Sequence, residues 1–315
     1  MFDRIVSPAE NCAAVPQANQ KLNFAVFGDI HGRIALMYTL AILWQQQSGI
    51  KLDGLLQVGD LGAFPDLSKL DKATKKHAQK DSDELGFQNF CVVTPESQFY
   101  LQHSQAPKTY FVRGNHEDFE YLGKFSKPTP IDPWEQIWFI PDNQAIEIRS
   151  TDRLVKLGAF GGIAPREEQP IRGKLAREKS RKAQKVSSSE PRFFSETTIE
   201  NISLELHNLD ILMTHAGSQS PELPTGSIFL DRLIAHLQPR VHLFGHHNQV
   251  IYRQDPMSGF LSIGLAHLEF DNGKLKPGSW GILSISPESS SFIFMSPDIL
   301  PILDRIKRTN YRSLI

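Results

Sequence analysis

Apolar residues along the chain gather in short blocks that stop at glycine. Residues 22–27 form the first, a mainly apolar run ending at Gly28, and such a run reads as a buried strand. Residues 34–47 place Ile34, Met37, Leu40, Ala41 and Trp44 at helical spacing, and Gly49 closes the pattern. Blocks at 54–58 and 109–112 end in Gly59 and in Arg113-Gly114. Strand, helix, strand in this order predicts a βαβ unit, with parallel pairing and helices over the sheet. Further strands are predicted at 137–140, 154–160, 209–213, 241–244, 260–263, 281–285 and 291–295, with a helix at 228–237. So many strands with few helices between them predict an α/β chain of two packed sheets flanked by helices.

Polar stretches mark the rest. Residues 1–21 read as a loose lead-in, 22–297 as the body of the fold, and 298–315 as a C-terminal helix or tail. Within the body lies a polar insertion, 64–107, whose part at 67–84 is dense in Lys and Asp and predicts a solvated helix over the sheet. A second insertion, 172–192, holds eight Lys and Arg against only Glu178 and Glu190. The total of 34 basic and 35 acidic residues, net −1, therefore conceals a polarised chain. That net charge excludes a bulk polycation, and two cysteines, Cys12 and Cys91, exclude a disulfide framework or a thiolate zinc cluster. No apolar run approaches the ~18 residues of a membrane span, and residues 1–15 lack the apolar core of a secretory signal. A cytoplasmic protein with no membrane partner is the expectation.

The chemistry sits at the ends of the strands. The first ends in Gly28-Asp29-Ile30-His31-Gly32-Arg33, where residues two apart point the same way, so that Asp29 and His31 reach one cation together. The second ends in Gly59-Asp60-Leu61-Gly62, the third in Arg113-Gly114-Asn115-His116-Glu117, and later blocks in Thr214-His215-Ala216-Gly217 and Gly245-His246-His247-Asn248. Strand carboxyl ends form the ligand crevice of α/β sheets, so five such turns can converge. Carboxylate, imidazole and amide oxygen together suit manganese, iron or zinc better than calcium or magnesium.

These blocks in this order resemble the calcineurin-like metallophosphoesterase family, whose pattern is D-x-H, G-D, G-N-H-[DE], H and G-H-x-H. The resemblance runs from Gly28 to Asn248 and implies two mixed β-sheets packed as a sandwich with helices outside, and two divalent metals at the strand ends. It implies hydrolysis of a phosphoester by a water activated between the metals, manganese first, with iron or zinc as alternatives. Asp29 and His31 would hold the first metal, Asn115, His215 and His246 the second, and Asp60 both. His116 would serve the leaving group as the catalytic side chain. Arg33 and Arg113 are candidates for gripping phosphate, with an ordinary salt bridge as the plainer alternative.

One position departs from the pattern. Asn248 stands where the last block carries its second histidine, and its amide oxygen is a weaker ligand than imidazole. His247 points the other way in an extended segment, although a shift in the turn would recruit it. His77, His103, His207, His236 and His267 match no block and read as surface or packing residues. The G-D-x-V-D-R-G extension of the Ser/Thr protein phosphatases is absent, since the chain reads Gly59-Asp60-Leu61-Gly62-Ala63-Phe64. A phosphodiester is thereby favoured over a phosphoprotein, with a small-molecule phosphomonoesterase or dinucleoside polyphosphatase as the alternative. RNA lariat-debranching enzymes share a similar third block, but carry cysteine where this chain has Asp29. Segment 172–192 raises nucleic acid as a partner, although no aromatic residue interleaves its charges before Phe193. A non-catalytic binding module on the same fold is the competing class. Retention of Asp60, Asn115 and His116 argues against it.

Overall fold

The computed structural model describes residues 21–150, 153–165, 190–194, 202 and 206–315. Most of the lead-in and most of the basic insertion fall outside these residues. The described chain runs β1 (Leu22–Phe27), α1 (Ile34–Ser48), β2 (Gly54–Gln57), α2 (Lys72–Ala78), α3 (Phe87–Phe90), α4 (Pro95–Leu101), β3 (Thr109–Phe111) and α5 (Phe119–Leu122). It continues through β4 (Thr129–Pro130), β5 (Ile137–Phe139), β6 (Gln144–Ser150), β7 (Arg153–Phe160), β8 (Ile211–Thr214), α6 (Ile228–Leu237) and β9 (Val241–Phe244). The last strands are β10 (Ile251–Gln254), β11 (Leu261–Gly264), β12 (Phe270–Asp271), β13 (Lys274–Leu275), β14 (Trp280–Ile285) and β15 (Ser290–Phe294).

Two mixed sheets result, ordered β15-β14-β1-β2-β3-β5-β4 and β10-β11-β9-β8-β7-β6. In the first, β1, β2, β3 and β5 pair in parallel; in the second, β7, β8, β9 and β11 do. Alternation along β1 explains the layering. Phe24 and Val26 join Leu157, Met213, Leu243 and Ile263 between the sheets, while Ala25 and Phe27 turn outward to α1. The outer face of the second sheet packs on Leu230, Leu233 and Leu237 of α6. This is the expected α/β sandwich.

Helix α1 is buried on all sides from Ile34 to Gln45, because α4 and the C-terminal segment cover the face that a surface helix would expose. Gly49 ends it in the left-handed conformation, φ 69°, with its N–H donated to Gln45 O.

The stretch 67–84 differs from the single solvated helix expected. It breaks into a 3₁₀ turn at Leu67–Lys69, helix α2 and a second turn at Ser82–Leu85. Aspartates restart the chain each time: Asp66, Asp71 and Asp81 accept from the N–H groups of Ser68, of Ala73 and Thr74, and of Asp83. Nor is it simply solvated, since Asp83 and Glu84 are buried. The apolar pattern does not predict edge strands β6 and β10 because their apolar side is thin, Ile148 and Ile251 being their only buried residues.

The C-terminal segment forms 3₁₀ turns at Pro301–Arg305 and Tyr311–Ser313 in place of a regular helix. Tyr311 is fully buried and donates to Asp83 Oδ2 at 2.9 Å, and Arg312 donates to Asp83 Oδ1 at 2.8 Å. Tyr311→Ala is expected to cost ~3–5 kcal/mol in denaturant unfolding, as truncation of a buried aromatic does. Tyr311→Phe, which loses one hydrogen bond while Arg312 still covers Asp83, is expected to cost ~1 kcal/mol.

Candidate metal centre

The turns after β1, β2, β3 and β9 open on one cleft lined by Asp29, His31, Asp60, Asn115, His116 and His246, with a wall from α2. His215, after β8, is buried beneath it, its Nε2 at 3.5 Å from Asp60 Oδ2. His31, Asp60, His246 and Asn248 all adopt positive φ, 42° to 60°, so the site is built from tight turns rather than extended strand ends.

Two carboxylates organise the floor. Asp60 Oδ1 accepts the backbone N–H groups of Asn115 and His116, both at 2.7 Å, and Asp29 Oδ1 accepts that of His246 at 2.9 Å. Such close approach needs glycine. A Cβ on Gly114 would collide with the Asp60 carboxylate, and one on Gly245 with that of Asp29. One oxygen of each carboxylate is thus held by backbone from another strand. Glu117 steadies the Asp60 turn by accepting from Leu61 N at 2.9 Å and from Ala63 N. Burial and the charge of Asp60 push the pKa of Glu117 up to about 8, against the pull of these backbone donors.

The donor atoms fit a cation. Asp29, Asp60 and His215 bring one ligand atom each within 4.8 Å of one another, as do Asp29, His31 and His267. His215 Nδ1 lies 3.0 Å from Val58 O, which can only accept, so that nitrogen carries the proton. Its Nε2 then faces Asn115 Oδ1 at 3.0 Å and Asp60 Oδ2, so lone pairs of three groups meet unless a positive charge lies among them. A histidine anchored by its far nitrogen to a carbonyl is how metal-ligating imidazoles are oriented. Burial disfavours charge on His215, yet with no cation there Asp60 overrides it and raises the pKa to about 9, so that a proton on Nε2 fills the place among these oxygens that a cation would take. Burial works the same way against Asp60, and His215 nevertheless holds it well below the usual carboxylate range. Burial, followed by the nearby His215 and His247, drives His246 down to about 3, which keeps its ring neutral as a ligand requires.

Around this floor the sequence-predicted residues divide. Asp29, His31, Asp60, Asn115, His215, His246 and His116 come together. Asn248 does not line the cleft, and its Oδ1 instead accepts the backbone N–H of His267 at 3.0 Å. His247 Nε2 accepts from Gly217 N at 3.0 Å, away from the carboxylates. Neither arginine is available to phosphate. Arg33 is buried against Asp81 and Glu84, at 2.9 and 2.8 Å, and Arg113 is tied to Asp142 at 2.6 Å and to Pro191 O.

Several residues of the cleft were missed, among them His77, Glu84 and Glu269 in its lining, and two bear directly on the site. His267, expected to be a surface or packing residue, lines the cleft with its Nε2 at 3.0 Å from Asp29 Oδ2. It lies three residues beyond β11, a further strand end that ranks with the other five once strands rather than motifs are counted. Asp71, from the polar insertion, places Oδ2 2.8 Å from His116 Nδ1 while its other oxygen caps α2. In a segment dense in Asp and Lys, nothing in the sequence marks this aspartate for His116. Burial opposes charge on both partners, but their mutual hydrogen bond prevails, raising His116 and lowering Asp71 to about 2.

The profile of the calcineurin-like phosphoesterase family matches residues 22–249. No curated protein sequence matches the chain. Among solved structures it is similar to GAP50, the anchor in the inner membrane complex of Plasmodium, at 11% identity over 88% of this chain and 85% of that one, TM-score 0.46. It is also similar to the protein TT1561 of Thermus thermophilus, at 13% identity over 87% and 98% of the two chains, TM-score 0.45. A phosphatase from Mycoplasma pneumoniae shares 8% identity over 92% and 99%, TM-score 0.44. With the ordered blocks meeting in one cleft and the profile spanning both sheets, the chain belongs to the calcineurin-like phosphoesterase family and is a metal-dependent hydrolase of phosphate esters.

Proposed function

We propose that the protein hydrolyses phosphodiesters, with two divalent cations, manganese first by the donor set, held by Asp29, His31 and Asp60 on one side and by Asp60, Asn115, His215 and His246 on the other. Cations bound there supply charge against the phosphoryl oxygens and acidify the attacking water. The observation that carries the reading is the His116–Asp71 pair at the edge of this donor cluster. Asp71 occupies Nδ1, which leaves His116 Nε2 as the nitrogen for the leaving oxygen, and the hydrogen bond to Asp71 raises the ring's pKa, which favours the protonated form a general acid needs.

The preference for a diester rests on charge. A monoester dianion brings a second negative charge that phosphatases commonly meet with a guanidinium. Among the described residues, the cleft is lined by no Lys or Arg. Its volume of about 200 Å³ is below the ~300–1,000 Å³ of pockets that enclose whole ligands. It suits a phosphoryl group whose substituents extend beyond the mouth.

Four outcomes are expected with manganese-loaded protein. A bis-aryl phosphodiester is cleaved with higher kcat/KM than the matching aryl monoester, and the reverse order would refute the diester assignment. Asp60→Asn abolishes hydrolysis while circular dichroism remains native; unchanged activity would show that the hydrolysis does not arise at this centre. His116→Asn lowers kcat by ~10²–10⁴ on an alkyl leaving group and far less on a nitrophenyl one, which leaves without a proton. Because Asp71 raises the pKa of His116, activity falls as pH climbs through that raised value. Asp71→Asn is expected to move this alkaline limb to lower pH, and an unmoved limb would remove Asp71 from the mechanism.

A further inference from the structure

We propose that His267 is a ligand of the first metal, and that Asn248, standing where the family's last block has its second histidine, positions His267 instead of coordinating. The proposal rests on the metal-dependent reading above and concerns which imidazole completes the site.

Strands β9 and β11 are parallel neighbours, so the turns that follow them lie side by side. A side chain from the β11 turn can therefore reach a spot normally served from the β9 turn. His267 is clamped for this on both flanks. Its own N–H is donated to Asn248 Oδ1 at 3.0 Å, and the next residue, Leu268, donates its N–H to the carbonyl of Asp29 at 2.8 Å. The second bond ties the β11 turn directly to the residue that carries the proposed metal carboxylate.

His267 Nε2 is buried 3.0 Å from Asp29 Oδ2 without forming a well-aligned hydrogen bond. A separation this short lets both atoms donate to one cation. His31 completes the group, its ring centroid 5.3 Å from that of His267 in an edge arrangement, with donor atoms of all three residues within 4.8 Å.

The chemistry explains the exchange. An amide oxygen is a poor substitute for imidazole on a late first-row divalent ion, so Asn248 in the last block would leave the first metal short of a strong ligand. Moving the imidazole to position 267 restores the donor set, and the amide is kept as the acceptor that fixes the moved residue.

The test measures manganese bound per chain and its affinity, by elemental analysis and calorimetry on the full chain. Wild type is expected to bind two equivalents. His267→Ala is expected to lose one equivalent or to bind it at least ~10-fold more weakly. The double variant Asn248→His/His267→Ala is expected to regain it, because the imidazole returns to the usual position; a double variant no better than the single one would overturn the role of Asn248. A wild type that binds no metal would defeat the metal-dependent reading itself. A wild type that binds metal, with His267→Ala matching it in number and affinity, would overturn only the assignment of His267. A second measurement needs no variant: in a zinc titration of the wild-type chain with ¹⁵N-labelled histidine, Nε2 of His267 is expected to take a metal-bound shift. A protonated Nε2 at full zinc occupancy would overturn the proposal.

Discussion

Asp29 and Asp60 are two carboxylates buried side by side where the sheets meet, each raising the cost of ionising the other. A buried charge without partners costs several kcal/mol, and two of like sign cost more. Each turn of the site answers that constraint. Backbone N–H groups from the turns after β3 and β9 take one oxygen of each acid, glycines let those turns approach, and imidazoles crowd the remaining oxygens. The histidines of the cleft thus follow from the acids. So does their mutual dependence, since His215 and Asp60 each shift the other toward its charged form when no cation lies between them.

Strands and their terminal glycines were legible because burial between two layers demands apolar blocks, and because a backbone that must touch a carboxylate cannot carry a Cβ. Both requirements act on adjacent residues, so they leave local marks, as at Gly114 and Gly245. His267 left no such mark. Its place depends on β9 and β11 being neighbours, a fact of topology spread over separate stretches of chain. Asp71 was hidden for a related reason. In a segment rich in Asp, the one that caps a helix beside His116 resembles the ones that cap turns elsewhere. The edge strands escaped notice because half-solvated strands have little apolar content to read.

The polar insertion is better described as a wall than as a solvated flap. Arg33, just before α1, bonds to Asp81 and Glu84, while Tyr311 and Arg312 from the far end of the chain hold Asp83 between them. These ties set where α2 stands, and with it Asp71. The C-terminal segment therefore acts on the cleft at one remove, through a wall that it anchors without itself lining the site. Arg33, whose plainer reading was an ordinary salt bridge, contributes by the same route.

The hydrogen bond from His246 N to Asp29 Oδ1 joins residues 217 positions apart. Closing a loop of that length costs chain entropy that the contact must offset. The complete donor set exists only in the finished fold: turns of the first sheet bring Asp29, His31, Asp60 and Asn115, and turns of the second bring His215 and His246. Ligand binding confined to the finished structure draws the equilibrium toward it by mass action. A cation that needs the whole donor set therefore favours chains in which the two sheets have docked in register.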